Sequence, residues 1–257
     1  MTDDDWNLIM DITLLLEPFE LASKFLSGES YCTVHQCIPI WNDIIDTVFD
    51  TRMSTGDGKT LQNSLWEALS VRFKEIYARK EFCFGYLLDP RHMSLLQQLP
   101  RECRAKVEES KLKLKEEYCL LEARWKTLNP LSQGTVQEQP TKKFKDPYGK
   151  QVAREPTQLN DIIGSEWDRY FLFCQKFCQD YPNDVENLDV LEWWRKNQDF
   201  PIMRQLARSH LVMPAASTTS ERSFSLCGQI YTKRRNRLAP ERAGKLIFLK
   251  MNGKFIK

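Results

Sequence analysis

A single acid inside a run of small hydroxyl-bearing residues is the first place where this sequence could do chemistry. Met213 to Leu238 reads MPAASTTSERSFSLCGQIYTKRRNRL, with Glu221 near its centre. A Thr or Ser side chain there can accept the free N–H groups that open a helix, so a helix is expected to start near Thr218. Helical periodicity then puts Ser220, Phe224 and Cys227 on a stripe facing the apolar interior and Glu221 and Ser225 on the neighbouring one. Gly228 is expected to end the helix, since it takes a left-handed cap without strain. Glu221 becomes a first-turn carboxylate beside small residues, able to reach a metal or a partner. The ordinary alternative is an exposed acid that complements the helix dipole.

Other clusters offer less. Lys233, Arg234, Arg235 and Arg237 are dense enough for phosphate contacts that release counterions, or else form a solvated basic loop. Cys32, His35 and Cys37 lie close together but lack the paired spacing of a structural zinc site, so buried packing is the better reading. Cys174 and Cys178 share a helix side, again as packing. In Gly85-Tyr86-Leu87-Leu88-Asp89-Pro90-Arg91-His92, Asp89 before Pro90 reads as a turn after a buried run. Trp193 and Trp194 bury so much area that they imply a core or a subunit interface.

The long motif from Pro214 to Leu238, with Leu191, Trp193 and Trp194 before it and Leu246, Phe248 and Leu249 after it, closely resembles the C-terminal region of the hAT superfamily of cut-and-paste DNA transposases. The motif residues include Ser220, Glu221, Arg222, Phe224, Gly228, Arg235 and Asn236. Leu88-Asp89-Pro90-Arg91 resembles a landmark of that family's helical insertion region, as do Trp6, Leu16-Glu17-Pro18-Phe19 and Leu26-Ser27-Gly28-Glu29. The resemblance implies a segment that closes an RNase H-like fold, takes part in subunit association and supplies the Glu of an Asp, Asp, Glu metal triad, by position Glu221. The two Asp residues of that triad would lie on sheet strands upstream of the insertion region. Asp89, Asp161 and Asp189 stand in the wrong contexts to replace them, so the chain is expected to be a C-terminal portion that does not cut DNA. Mg²⁺ or Mn²⁺ would then be needed only if another chain supplied the Asp residues.

The elements that would position these residues read as helices. Trp6, Ile9, Ile12, Leu15, Leu16, Phe19, Ala22 and Phe25 predict a first helix, with Pro18 as a kink position and Gly28 as its stop. Further helices are expected over about Thr33 to Phe49, from Leu61 to Ile76, over about Pro100 to Leu128 and over about Leu159 to Tyr181. Others are expected around Leu188 to Asn197, from Ile202 to Leu211 and from Pro240 to Leu249. Four prolines among polar residues make 129–157 a linker. The expected fold is mostly α: a helical bundle at 1–128, the linker, and at 158–257 the helical end of an incomplete RNase H-like fold.

The chain has 257 residues and a net charge of +2. Charge is unevenly placed: from Ile202 onward twelve Lys and Arg face two acids, a net of +10 that leaves −8 for the rest. Eight scattered cysteines suggest a reduced compartment, and no apolar run is long enough for a membrane span. These readings converge on a transposase-derived, non-catalytic nuclear protein without a cofactor. It would associate with itself or a related chain through Trp193, Trp194, Leu246, Phe248 and Leu249, with DNA contact at Lys233 to Arg237. The alternatives are a metal-dependent transposase subunit completed by another chain's Asp residues, and a plain helical scaffold.

Overall fold

The computed structural model describes residues 1–128, 165–181, 188–230 and 238–253. Helix α1 runs over Asp3–Leu26, opened by a capping box in which Thr2 Oγ1 accepts from the Asp5 N–H and the Asp5 carboxylate accepts from that of Thr2. It continues through Pro18 without ending. A short 3₁₀ segment, Val34–Gln36, leads into α2, Cys37–Asp50, which places Pro39 in the first turn, where a missing N–H costs nothing. Helix α3 spans Gly56–Ala78.

Leu15 and Ala22 of α1 pack with Ile44 and Val48 of α2 and Leu69 of α3. A carboxylate locks this unit. Asp11, buried on α1, accepts hydrogen bonds from the backbone and hydroxyl groups of both Ser54 and Thr55 at 2.6–2.9 Å, pinning the α2–α3 turn. Those bonds, led by the Ser54 N–H, draw its pKa down to about 2.

The larger core lies beyond. Helix α4, Lys80–Leu87, and a 3₁₀ stretch over His92–Gln98 lead to α5, Arg101–Leu128. Helices α6 (Glu166–Asp180), α7 (Val190–Lys196) and α8 (Pro201–His210) pack against them. One continuous apolar cluster joins Phe84 and Leu87 of α4, Leu114 and Tyr118 of α5, Trp167 and Tyr170 of α6, Trp194 of α7 and Leu206 of α8. Residues before position 129 and after position 164 therefore share a single interior. Helix α9, Thr218–Ile230, and helix α10, Pro240–Asn252, pack on each other at the end of the described chain.

Among the described residues there are ten α-helices, two 3₁₀ segments and no strand, in agreement with the mostly α expectation. No helix among them is long and apolar enough to cross a membrane. Three expectations are corrected. The first helix buries Leu15 and Ala22 but leaves Trp6, Ile9, Leu16 and Phe25 exposed, because its apolar residues surround the axis while only one side meets α2 and α3. The run before Asp89 is not merely a buried approach to a turn but a helix, with Cys83 to Leu88 all buried. Thr33 does not begin an α-helix; the 3₁₀ turn intervenes. The expected linker at 129–157 and the first turn expected from Leu159 lie outside the described residues.

Candidate functional site

Helix α9 begins at Thr218 as its hydroxyl-rich approach predicts, but it runs through Gly228 to Ile230. Gly228 has no left-handed φ and the helix continues past it, so the expected cap is not there. Glu221 sits on the outside of the first turn. Its carboxylate accepts the Ser217 hydroxyl at 2.9 Å while its N–H donates to the Ser217 carbonyl at 3.0 Å. Arg222 pairs with Glu29 at 2.8 Å, and the Ala215 N–H donates to Thr33 Oγ1 at 3.0 Å. These two contacts tie the start of α9 to the turn after α1. Phe224, expected inside, is exposed, since the interior side of α9 is the one that meets α10. Among the described residues no three His, Cys, Asp or Glu side chains gather closely enough to hold a metal ion.

The hairpin partner α10 buries Ala243 and turns Leu246, Phe248 and Leu249 outward, with Phe248 62% exposed. Ser223 Oγ lies 3.2 Å from Met251 Sδ, and Lys250 Nζ donates to Gln229 Oε1 at 3.3 Å, bracing the two helices together. Lys233, Arg234, Arg235 and Arg237, the expected phosphate contacts, lie outside the described residues.

Trp193 and Trp194 are placed differently from the interface expected for them. Both are buried within the chain, Trp194 to 4% exposure, because α7 turns them toward α4 and α6 rather than outward. The Trp194 indole N–H donates to the Leu88 carbonyl at 2.8 Å, and its ring packs 5.3 Å from that of Tyr170. The Tyr170 hydroxyl in turn donates to the Leu87 carbonyl at 3.1 Å. The pair serves the interior, which leaves Leu246, Phe248 and Leu249 as the exposed members of the expected association set.

Leu87 and Leu88 lead directly to a polar cluster that the residue types alone did not reveal. Asp89 is completely buried and receives a forked pair from Arg91, Nε to Oδ1 at 2.9 Å and Nη2 to Oδ2 at 2.6 Å, besides the Arg91 backbone N–H. His35 Nε2 and His92 Nε2 stand 3.6 and 3.5 Å from the same Oδ2. Burial alone would raise the Asp89 carboxyl; its neighbouring imidazoles and Arg91 outweigh this and hold it well below the usual carboxylate range. Burial lowers both imidazoles, His35 to about 4. With both histidines neutral near pH 7, Arg91 supplies the compensating charge. A clue was present in the sequence: three ionisable residues packed around a proline, directly after an apolar run.

His35 Nδ1 meets Cys32 Sγ at 3.1 Å, so thiol, imidazole and carboxylate form a line beside a cleft of about 880 Å³. That line resembles a nucleophile, base and orienting acid only in its order. Burial pushes the Cys32 thiol up to about 11 and Cys37 to about 12, the reverse of what activates a cysteine. The Cys32 thiol instead donates to the Leu211 carbonyl at 3.1 Å. The trio of Cys32, His35 and Cys37 is thus buried packing beside a helix start.

The described residues thus form a helical body with a pair of helices, α9 and α10, on which Leu246, Phe248 and Leu249 are exposed. Residues 166–252, which contain α6 to α10, match the hAT family C-terminal dimerisation region. A stretch of 63 residues is 38% identical to the Putative AC transposase of Zea mays, covering 24% of this chain and 8% of that protein. The Putative AC9 transposase of Zea mays matches to the same extent. Zinc finger BED domain-containing protein 4 of Homo sapiens is 31% identical over 96 residues, which is 36% of this chain and 8% of that protein. The matched stretch therefore spans less than a tenth of each relative.

Proposed function

We propose that this chain is a transposase-derived self-association module that brings copies of itself, or of a related chain, together without cutting DNA. The observation that supports this most is the outward Leu246, Phe248 and Leu249 face of α10, inside the segment that matches a dimerisation region. Exposed apolar surface of this kind gains stability when a partner removes it from water. Light scattering across a concentration series tests it. The wild-type mass is expected to rise toward twice that of the monomer. Leu246→Glu with Leu249→Glu is expected to hold it at one chain with helical circular dichroism unchanged. A wild-type monomer at every concentration would overturn the reading.

On this reading Lys233, Arg234, Arg235 and Arg237 contact duplex phosphates in the nucleus, with binding that weakens steeply as salt is raised. Glu221 occupies the position of a metal ligand but is engaged by Ser217. Its exposed position favours one competing reading, in which another chain's Asp residues complete a two-metal centre with it. Mg²⁺- or Mn²⁺-dependent strand cleavage that Glu221→Gln abolishes would establish that reading in place of the non-catalytic one.

A further inference from the structure

Helix α1 carries a second outward apolar ridge, distant in sequence from α10. Trp6, Met10, Leu14 and Leu21 are all exposed and fall on one side of the helix at spacings of four and seven. The side they occupy carries a net negative charge: Glu17 lies among them, while Glu20 beside them is balanced by Lys24, the one basic residue of the helix. On α10, Arg242, Lys245, Leu246 and Leu249 make the outward stripe at spacings of three and four, so its apolar residues are interleaved with cations. One ridge is apolar and acidic, the other apolar and basic.

We propose that, on the self-association reading above, α10 of one copy docks along α1 of a second copy, and the second copy's α10 docks along α1 of the first. Charge complementarity selects this pairing over α10 against α10, which would set Arg242 and Lys245 beside their own kind. The placement of the hairpin favours a reciprocal exchange. The Arg222–Glu29 pair and the Ala215–Thr33 bond anchor the start of α9 beside the turn that follows α1, and α10 packs on α9, which links the hairpin to the helix that carries the other ridge. A two-fold axis that brings one hairpin onto the partner's α1 automatically returns the other.

A charge exchange in the full chain tests this. Glu17→Lys with Glu20→Lys, and separately Arg242→Glu with Lys245→Glu, change only exposed positions. Each variant alone is expected to weaken self-association about tenfold or more in sedimentation equilibrium, because like charges then face each other. An equimolar mixture is expected to recover the wild-type mass, since the acidic α10 now meets the basic α1 and the other contact is native. Circular dichroism of each variant checks that the helices persist. If the α1 variant associates as the wild type does while Leu246→Glu with Leu249→Glu is monomeric, α10 pairs elsewhere and this proposal fails, though the module reading stands. A mixture that stays monomeric also overturns it. A wild-type chain that never associates removes both.

Discussion

Asp89 holds a negative charge where water does not reach, and the forked Arg91 bond is what makes that placement tolerable. Asp89→Ala leaves the guanidinium without its counter-charge and is expected to cost about 3–5 kcal/mol, read as a lowered urea midpoint at unchanged slope. His35 gives the interior a pH limit. Above about 6.5 the imidazole is neutral whether the chain is folded or not; below that the unfolded chain takes a proton that the folded one refuses until about 4. Stability is therefore full above about pH 6.5 and is lost progressively as pH falls toward 4. Asp89 and Asp11, both held low, subtract more once pH falls below the ordinary carboxylate range. Thermal melts between pH 8 and 5 should show Tm falling on the acid side, with a shallower slope in His35→Gln. The sequence could mark Asp89 as a turn, because the proline that follows it is a local signal. It could not reveal the hub, since one of the imidazoles that face Asp89 comes from residue 35, far back in the chain.

Helix α4 approaches the 3₁₀ turn so closely that Gly85 has the Val34 and His35 backbone only 3.0 Å from where a Cβ would stand. Backbone cannot swing aside as a side chain would, so Gly85→Ala is expected to cost about 1–3 kcal/mol, measurable by chemical denaturation. At α7, Trp194→Phe keeps most of the ring packing but strands the Leu88 carbonyl, for an expected loss of about 1–3 kcal/mol with no effect on association. An equal loss of stability together with a monomeric mass would return the tryptophan to the interface. Apart from α4, the helices were readable from periodicity, and so was the start of α9. Facing was less so: α1 has apolar residues on every side, and its spacing alone cannot say which side α2 and α3 will cover. Phe224 is exposed for the same reason: among the described residues α9 packs mainly on α10 and has no core around it.

Across the whole molecule, the matched region at 166–252 does not own its interior. Tyr170 and Trp194 complete their polar groups on carbonyls of α4 and the residue after it, and the apolar cluster continues through α4 and α5. Expressed alone, 166–252 should show reduced helicity and bind a hydrophobic dye, whereas the full chain should unfold in one cooperative transition by circular dichroism and tryptophan fluorescence. The resemblance in the sequence located the family segment; it could not show that the segment depends on the helices before it, because that dependence lies in contacts more than eighty positions apart.

The bonds from Thr33 to Ala215 and from Cys32 to Leu211 join positions separated by 182 and 179 residues. During synthesis, the first five helices leave the ribosome long before the groups that seal them exist. Nascent chains stalled before residue 215 should be cut readily by protease, and resistance should arise only once that stretch has cleared the exit tunnel. Until then, the open underside of α4 is a natural client for a chaperone.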